Sequence, residues 1–408
     1  MKIAKRLLPL LLVILAVIGI GCSHVDKTDV EEVITNELDL LKNLDSKTTH
    51  KYISYKELFP DATENTKLST EVKEVFSLFF QDFDYKILDI DVDKEKKTAT
   101  ASLRLSTMDA HTLAQDFAAS QLKKEILDTA EADSKNTKEV SISLEERYLI
   151  LNQLLKENDY KTVETNCTMK LYNTGDKDEV WEIKRTYSLE NDLVGGLMTY
   201  LSDPDILSPE DTLAVYLKTL KKMDTEQMST YLGVESILNT TDTAKNAIAS
   251  ALVEQVHKNF NYDVISSNIE SYTATIEAKI TTFDSDAILS AYQQELDAYL
   301  SSPDAVIDGS QKRYQKSHEL LLENIQSNTA TKTAEATFYF VNDGASWKLM
   351  DDSGELGNAI FGILTTSPVE EDEDGLEDTD TDAGSEEDSG DSDESYSEDE
   401  YDSNSDTE

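Results

Sequence analysis

Between residues 30 and 44 the apolar side chains Val30, Val33, Ile34, Leu38, Leu41 and Leu44 recur three or four positions apart. That spacing lines them along one stripe of an α-helix, which must pack against something. The same stripe returns after residue 208. Sliding the chain along itself aligns 30–53 with 209–232 without a gap, setting Leu38 on Leu217, Leu41 on Leu220, Leu44 on Met223, Asp45 on Asp224 and Tyr52 on Tyr231. The chain therefore carries an internal duplication. The next period is two. In Thr98–Asp109, Ala99, Ala101, Leu103 and Leu105 alternate with Thr98, Thr100, Ser102, Arg104 and Ser106, as in a half-buried antiparallel strand, and Tyr85–Val92 supplies its hairpin partner. In the second copy Tyr262, Ile265 and Ile269 precede Tyr272, and Ala274, Ile276, Ala278 and Ile280 form the inward face.

Each copy then enters a helix, where Asp109 and Asp284 stand as N-caps whose carboxylates satisfy first-turn N–H groups. Further helices span Leu144–Lys156 and Gln311–Ile325, with Arg147-Tyr148 set against Arg313-Tyr314. In the closing strands Val163, Thr165, Cys167, Met169 and Leu171 alternate inward, as do Ala334, Ala336, Phe338 and Phe340. On that pattern Cys167 is a buried apolar filler rather than a nucleophile. The chain's two tryptophans, Trp181 and Trp347, fall at matching points of the last strands, and short apolar helices at Leu193–Leu201 and Leu356–Leu364 end the copies. Ser202 to Pro209 reads as a linker, with Pro209 in a first helical turn.

The order of helices, hairpin, helices and second hairpin predicts an α+β fold, helices packed on one face of a curved antiparallel sheet. It resembles the nuclear-transport-factor-2-like, cystatin-like fold, in the tandem form found in lipoproteins of Gram-positive bacteria. The resemblance covers most of residues 28–366 and rests on element order, the strand starts Tyr85 and Tyr262, the aspartates Asp109 and Asp284, and the paired tryptophans. It implies a pocket between sheet and helices in some members and binding or spacer roles in others; fold alone does not choose.

The N-terminus adds an address. Lys2, Lys5 and Arg6 precede an apolar run from Leu7 to Ile20, the layout of an export signal and shorter than the roughly 20 apolar residues of a membrane span. Gly19-Ile20-Gly21-Cys22 resembles the lipobox of bacterial lipoproteins, with Gly19 where leucine is usual. The resemblance implies cleavage between Gly21 and Cys22 and a diacylglyceryl anchor, joined by palmitate-type acyl chains, on the Cys22 thiol. Two acyl chains hold firmly, since each buried methylene contributes about 0.8 kcal/mol. With Cys22 lipidated, Cys167 has no partner for a disulfide.

Charge narrows the partners. The chain has a net charge of −45, of which 21 negative charges fall between Pro368 and Glu408, a stretch without Lys or Arg that is too poor in apolar residues to fold. The remaining 24 make the body acidic as well. Nucleic acid is excluded as a partner on this ground, because affinity for it comes from Lys and Arg on phosphates. Asp378, Asp380 and Asp382 imitate the start of a calcium loop, but the glycine comes one place late at Gly384 and Ser389 replaces the closing Glu. The histidines His24, His50, His111, His257 and His318 have no metal-site spacing. No phosphate loop, nucleophile elbow or Cys-x-x-Cys pair occurs. Asp109 and Asp284 have their capping role, and Tyr52 and Tyr231 serve equally well as core aromatics. Glu145-Glu146-Arg147 and Lys221-Lys222 read as solvated helix faces.

The sequence thus predicts a signal peptide at 1–21, a lipidated linker at 22–28, a first α+β repeat at 29–201, a linker at 202–208, a second repeat at 209–366 and a disordered acidic tail at 367–408. The expected function is non-enzymatic binding or scaffolding at the extracytoplasmic face of the cell membrane, without metal or cofactor. Its partners would be the membrane lipid held through Cys22 and an envelope protein or cell-wall component. The alternative is a pocket for a small molecule, glycan or peptide, catalytic or not, in one repeat.

Overall fold

In the computed structural model, residues 27–44, 58–59, 69–131, 143–175, 180–232, 243–350 and 354–362 are described. The opening stripe is a helix, α1 (27–42), with Val30, Ile34, Leu38 and Leu41 fully buried. α2 (Thr70–Phe79) follows, capped by the Ser69 hydroxyl, which accepts from Val72 N–H. Strands β1 (Asp84–Asp93) and β2 (Thr98–Met108) form the first hairpin. Helices α3 (Ala110–Glu131) and α4 (Leu144–Glu157) come next, the latter begun by a reciprocal capping box between Ser143 and Glu146. Strands β3 (Thr162–Asn173) and β4 (Trp181–Ile183) and the short helices α5 (Tyr187–Leu193) and α6 (Leu197–Tyr200) complete the copy. The expected single helix over Leu193–Leu201 is instead two helices, parted at Gly195 and Gly196. Both glycines have positive φ, and a Cβ on Gly195 would lie 2.6 Å from Thr107 Oγ1.

The second copy repeats the order: α7 (Pro209–Leu220), α8 (Thr225–Leu232), α9 (Thr243–Asn259), β5 (Asn261–Glu270), β6 (Thr273–Phe283), α10 (Ser285–Leu300), α11 (Pro303–Ile307), α12 (Ser310–Ser327), β7 (Thr331–Asn342), β8 (Trp347–Met350) and α13 (Glu355–Phe361). Two four-stranded antiparallel sheets result, in the orders β1-β2-β3-β4 and β5-β6-β7-β8. The registers superpose residue by residue. Tyr85 pairs with Leu105 as Tyr262 pairs with Ile280, each edge strand has a bulge at the same point (Leu88, Ile265), and Asn173 faces Trp181 as Asn342 faces Trp347. A shared bulge fixes the same change of facing in both strands, so the duplication is structural as well as sequential.

Burial follows the alternation on β2 and β6, where Ala99, Ala101, Leu103 and Leu105, and Ala274, Ile276, Ala278 and Ile280, are all buried. Four details depart from the pattern. Leu44 is exposed with φ of 59°, whereas Met223 is buried. Ala334 is exposed at the rim of an open hollow beside Asn358 and Ala359. Tyr148 is buried but Tyr314 is exposed; counting back from the helix ends at Asn158 and Asn328, His318 takes the place of Tyr148, one helical turn along. Ile265 and Ile269 on edge strand β5 are exposed. Asp45 and Tyr52 lie outside the described residues, as does Leu364.

Two hydrophobic cores form, and α3 belongs to both. Ala110, Leu113, Ala114 and Phe117 pack in the first core, whereas Leu122, Ile126 and Ala130, farther along the same helix, pack in the second beside Leu213, Leu217, Leu220 and Met228. The two repeats are joined through a shared helix within one compact unit.

Candidate functional site

The residues singled out in the sequence take mostly structural places. Gly21, Cys22, His24, His50 and the acidic tail 367–408 lie outside the described residues. Asp109 Oδ1 accepts from Thr112 N–H at 3.1 Å and Asp284 Oδ1 from Ala287 N–H at 3.1 Å, so both aspartates are N-caps. Their own N–H groups donate to Lys161 O and Ala330 O, tying strand end to helix start in each repeat. Tyr231 is half-buried against the second core. His111 packs edge-on against Tyr200, His257 Nε2 meets Met223 O at 2.8 Å and His318 Nδ1 meets Tyr314 O at 2.8 Å. Among the described residues no group of three or more His, Cys, Asp or Glu side chains could hold a metal ion.

Cys167 is buried on β3. Burial first, and then the Asp192 carboxylate beside it, push the thiol up to about 12. It is protonated at neutral pH, in line with a filler role. Burial likewise raises Asp192.

The first core is closely filled, and the open hollows of the two repeats lie at different places: in the first, one of about 720 Å³ is bounded by Thr98, Thr100, Lys170, Tyr172 and Arg185. In the first repeat Phe59 stacks on Phe117 at 5.3 Å and meets Tyr148 edge-on at 5.2 Å, and Phe79, Phe80 and Phe83 continue the cluster. The space left among Leu58, Phe76, Phe79, Leu113 and Leu151 is about 10 Å³. In the second repeat an open hollow of about 260 Å³ lies at the end of the sheet, bounded by Ile280, Thr282, Phe283, Ser285, Lys332 and Asn358. Thr282 Oγ1 donates inward to Ile360 O at 2.9 Å, and Lys332 pairs with Asp286 on the surface. Gly362 comes so close to Ser285 that an added Cβ would lie 2.5 Å from the hydroxyl.

A cleft of about 340 Å³ opens between the repeats. Its walls are the middle of α3 (Phe117, Gln121, Leu122, Glu125), the linker from Leu201 to Leu207 and the β7–β8 turn at Gly344–Lys348, with Arg147 from α4. Hydrogen bonds hold the linker in place. Trp347 Nε1 and Asn342 Nδ2 donate to Asp205 Oδ1 at 2.9 and 3.0 Å, and Gln115 Nε2 donates to Ile206 O at 3.4 Å. The matched Trp181 has no such acceptor; its buried Nε1 is without a partner. Lys348 and Glu125 bridge the repeats at 3.5 Å.

Arg147 is the distinctive group in this cleft. Its guanidinium carbon stands 5.4 Å from the Phe59 ring centre, its Nε is buried without a hydrogen-bond acceptor, and no carboxylate pairs with it among the described residues. A half-buried, unpaired guanidinium with a planar donor fork suits a carboxylate or another oxyanion. The sequence places Arg147 on a solvated face with Glu145 and Glu146. The structure corrects this, since all three are half-buried and Glu146 closes the capping box of α4. Lys221 likewise leaves the solvent to donate to Phe260 O at 2.6 Å. Asp205 has no periodic signal in the sequence, being a linker carboxylate; the unequal surroundings of two matched tryptophans reveal it.

No family model matches the chain, and no curated protein matches it. One solved structure, ycdA of Bacillus subtilis, described as a candidate lipoprotein, is similar at 11% identity, covering 70% of this chain and 95% of its own, with a TM-score of 0.24. Among the described residues no helix is long and apolar enough to cross a membrane.

Proposed function

We propose that this chain is a lipid-anchored protein of the extracytoplasmic face of the cell membrane, built from two nuclear-transport-factor-2-like repeats, that acts by binding rather than by catalysis. The cleft between the repeats is its recognition surface. The observation that carries this reading is Arg147, an unpaired guanidinium in a cleft that both repeats build. Its ligand is a carboxylate or similar oxyanion on an envelope protein or cell-wall component, received against Phe117 and Leu122. The address rests on the basic start, the apolar run and the Gly-Ile-Gly-Cys sequence ending at Cys22.

Two measurements test the two halves. Mass spectrometry of the mature N-terminus should find a diacylglyceryl group on residue 22; an unmodified Cys22 or an intact 1–21 segment defeats the anchoring. For the cleft, a photo-reactive residue in place of Gln121 should give reproducible adducts in intact cells, lost when Arg147→Met is added. Absence of adducts, or adducts indifferent to Arg147→Met, defeats the binding role. A second reading, a ligand pocket in the second repeat, is supported by the open hollow of about 260 Å³ at the end of its sheet. It gives adducts from a probe at Asn358 and none from Gln121.

A further inference from the structure

The long helix α3 ends by seating Leu122, Ile126 and Ala130 against the second repeat. The helix it meets, α7, has its counterpart in α1 through the ungapped alignment of 30–53 on 209–232. Four equivalent positions can be compared. On α7 and just after it, Thr212, Tyr216, Thr219 and Met223 are all buried. On α1 and just after it, Val33 and Glu37 are half-buried, Leu40 is 42% exposed and Leu44 is 38% exposed. α1 thus presents to solvent part of the face that its twin keeps covered, and Leu40 on that face is larger than Thr219, which it replaces.

The opposite end of the molecule has the complementary excess. α10 stands in the second repeat where α3 stands in the first, both starting from an aspartate cap. It stops sooner, because Pro303 begins a new short helix, and the elbow so formed leaves Leu300 49%, Val306 85% and Ile307 80% exposed. Among the described residues Val306 and Ile307 are the two most exposed large apolar side chains, and Leu300 is a near neighbour. Such a cluster on a water-facing tip is a mark of an interaction surface. Charge is mixed at the elbow and acidic on α1: α12 opens beside the elbow with Lys312, Arg313 and Lys316, Asp297, Asp304 and Asp308 lie along the elbow itself, and α1 carries Glu31, Glu32, Glu37 and Asp39. Lys312 and Lys316 also reach Asp308 and Glu319, which leaves Arg313 as the base outside those pairs.

We propose that copies of this chain associate head to tail, the α10–α11 elbow of one copy seating on the exposed face of α1 in the next. The contact takes on α1 the place that α3 takes on α7 inside the chain, with Leu300, Val306 and Ile307 in the part of Leu122, Ile126 and Ala130. Because two different surfaces meet, it does not close on itself as a twofold dimer and extends as a row.

The test uses the mature chain from residue 22 with Cys22→Ser, free of lipid, in analytical ultracentrifugation. Its average mass should rise with concentration. Leu40→Glu, and separately the pair Val306→Glu with Ile307→Glu, should each weaken association at least tenfold while leaving the circular-dichroism melt unchanged, since these side chains are exposed in the monomer. Mixing the two variants should restore association but stop it at a one-to-one dimer, because the mixture holds one intact elbow and one intact α1 face. A mass that stays monomeric to the solubility limit overturns the proposal. So does self-association of the Leu40→Glu variant alone, which marks an elbow-to-elbow dimer. Vesicles of phosphatidylglycerol and phosphatidylcholine form the last arm: a monomer that sediments with them through Val306 and Ile307 assigns the elbow to lipid and overturns the proposal.

Discussion

Trp181 and Trp347 occupy one place in two copies, yet their indole N–H groups have different fates. Trp347 donates to the Asp205 carboxylate, whereas Trp181 Nε1 is buried with no acceptor. A hydrogen bond to a charged group contributes about 1.5–3 kcal/mol, while an unmade buried one is a cost already borne by the fold. Trp347→Phe should therefore lower stability by roughly 2 kcal/mol more than Trp181→Phe, and Asp205→Ala should reproduce most of that difference. Urea titrations of the three variants measure it, and equal losses for the two tryptophans would contradict the assignment. Cys167 gives a pH-dependent companion. Its thiol is raised from 9.0 to about 12 in the fold, so the unfolded chain loses this proton first as pH rises. The stabilisation is complete below about pH 9 and declines from there to about pH 12, at up to ~1.4 kcal/mol per pH unit. The difference in stability between the parent and Cys167→Ala should shrink over that interval, and a difference that stays level across it contradicts burial of the thiol.

At the scale of elements, α3 decides how independent the repeats are. Ile126 is buried in the second core although its helix starts in the first. Ile126→Ala should cost roughly 2–5 kcal/mol, and hydrogen exchange should speed up in β6 and β7, two strands of the other repeat. Loss of protection confined to β1–β3 would show that the cores are separate. This sharing was not legible in the sequence. Periodicity reports that Leu122 and Ile126 lie on one apolar face of a helix but not which neighbour covers it, so a boundary near residue 202 treats both halves of α3 as first-repeat core. What was legible had a local cause: the alternation of β2 and β6, the aspartate caps and the tryptophan match each depend on residues near in sequence or on the duplication. The sequence sets Tyr314 against Tyr148, since helices slip by a turn with little change in pattern, and burial tells His318 from Tyr314. Arg147 was hidden for a related reason, since the composition of its surface turn says nothing of a cleft whose other wall comes from β7 and β8.

For the whole molecule the governing quantity is charge, with 82 acidic against 37 basic residues. Two opposing effects of salt follow. Screening weakens favourable ion pairs such as Lys42–Asp84 and Lys156–Glu74, but pairs of that exposure contribute little each. Screening also relieves repulsion among the excess carboxylates, and that repulsion acts over the whole surface, because the Debye length is roughly 30 Å at 0.01 M salt and about 10 Å at 0.1 M. The second effect prevails, since the excess acids have no base to pair with. Raising sodium chloride from about 0.01 M to about 0.5 M should lift the melting temperature, by roughly 2–4 °C for each kcal/mol of repulsion removed. Differential scanning calorimetry checks the sign, and a melting temperature that falls as salt is added would mean that the ion pairs outweigh the net charge. The same balance bears on assembly in rows: each added copy brings the same excess charge, so the apolar elbow contact must exceed a repulsion that grows as salt is withdrawn. Rows should consequently lengthen at higher ionic strength, provided the acidic face of α1 and the basic turn of α12 contribute less than the bulk charge of the two bodies.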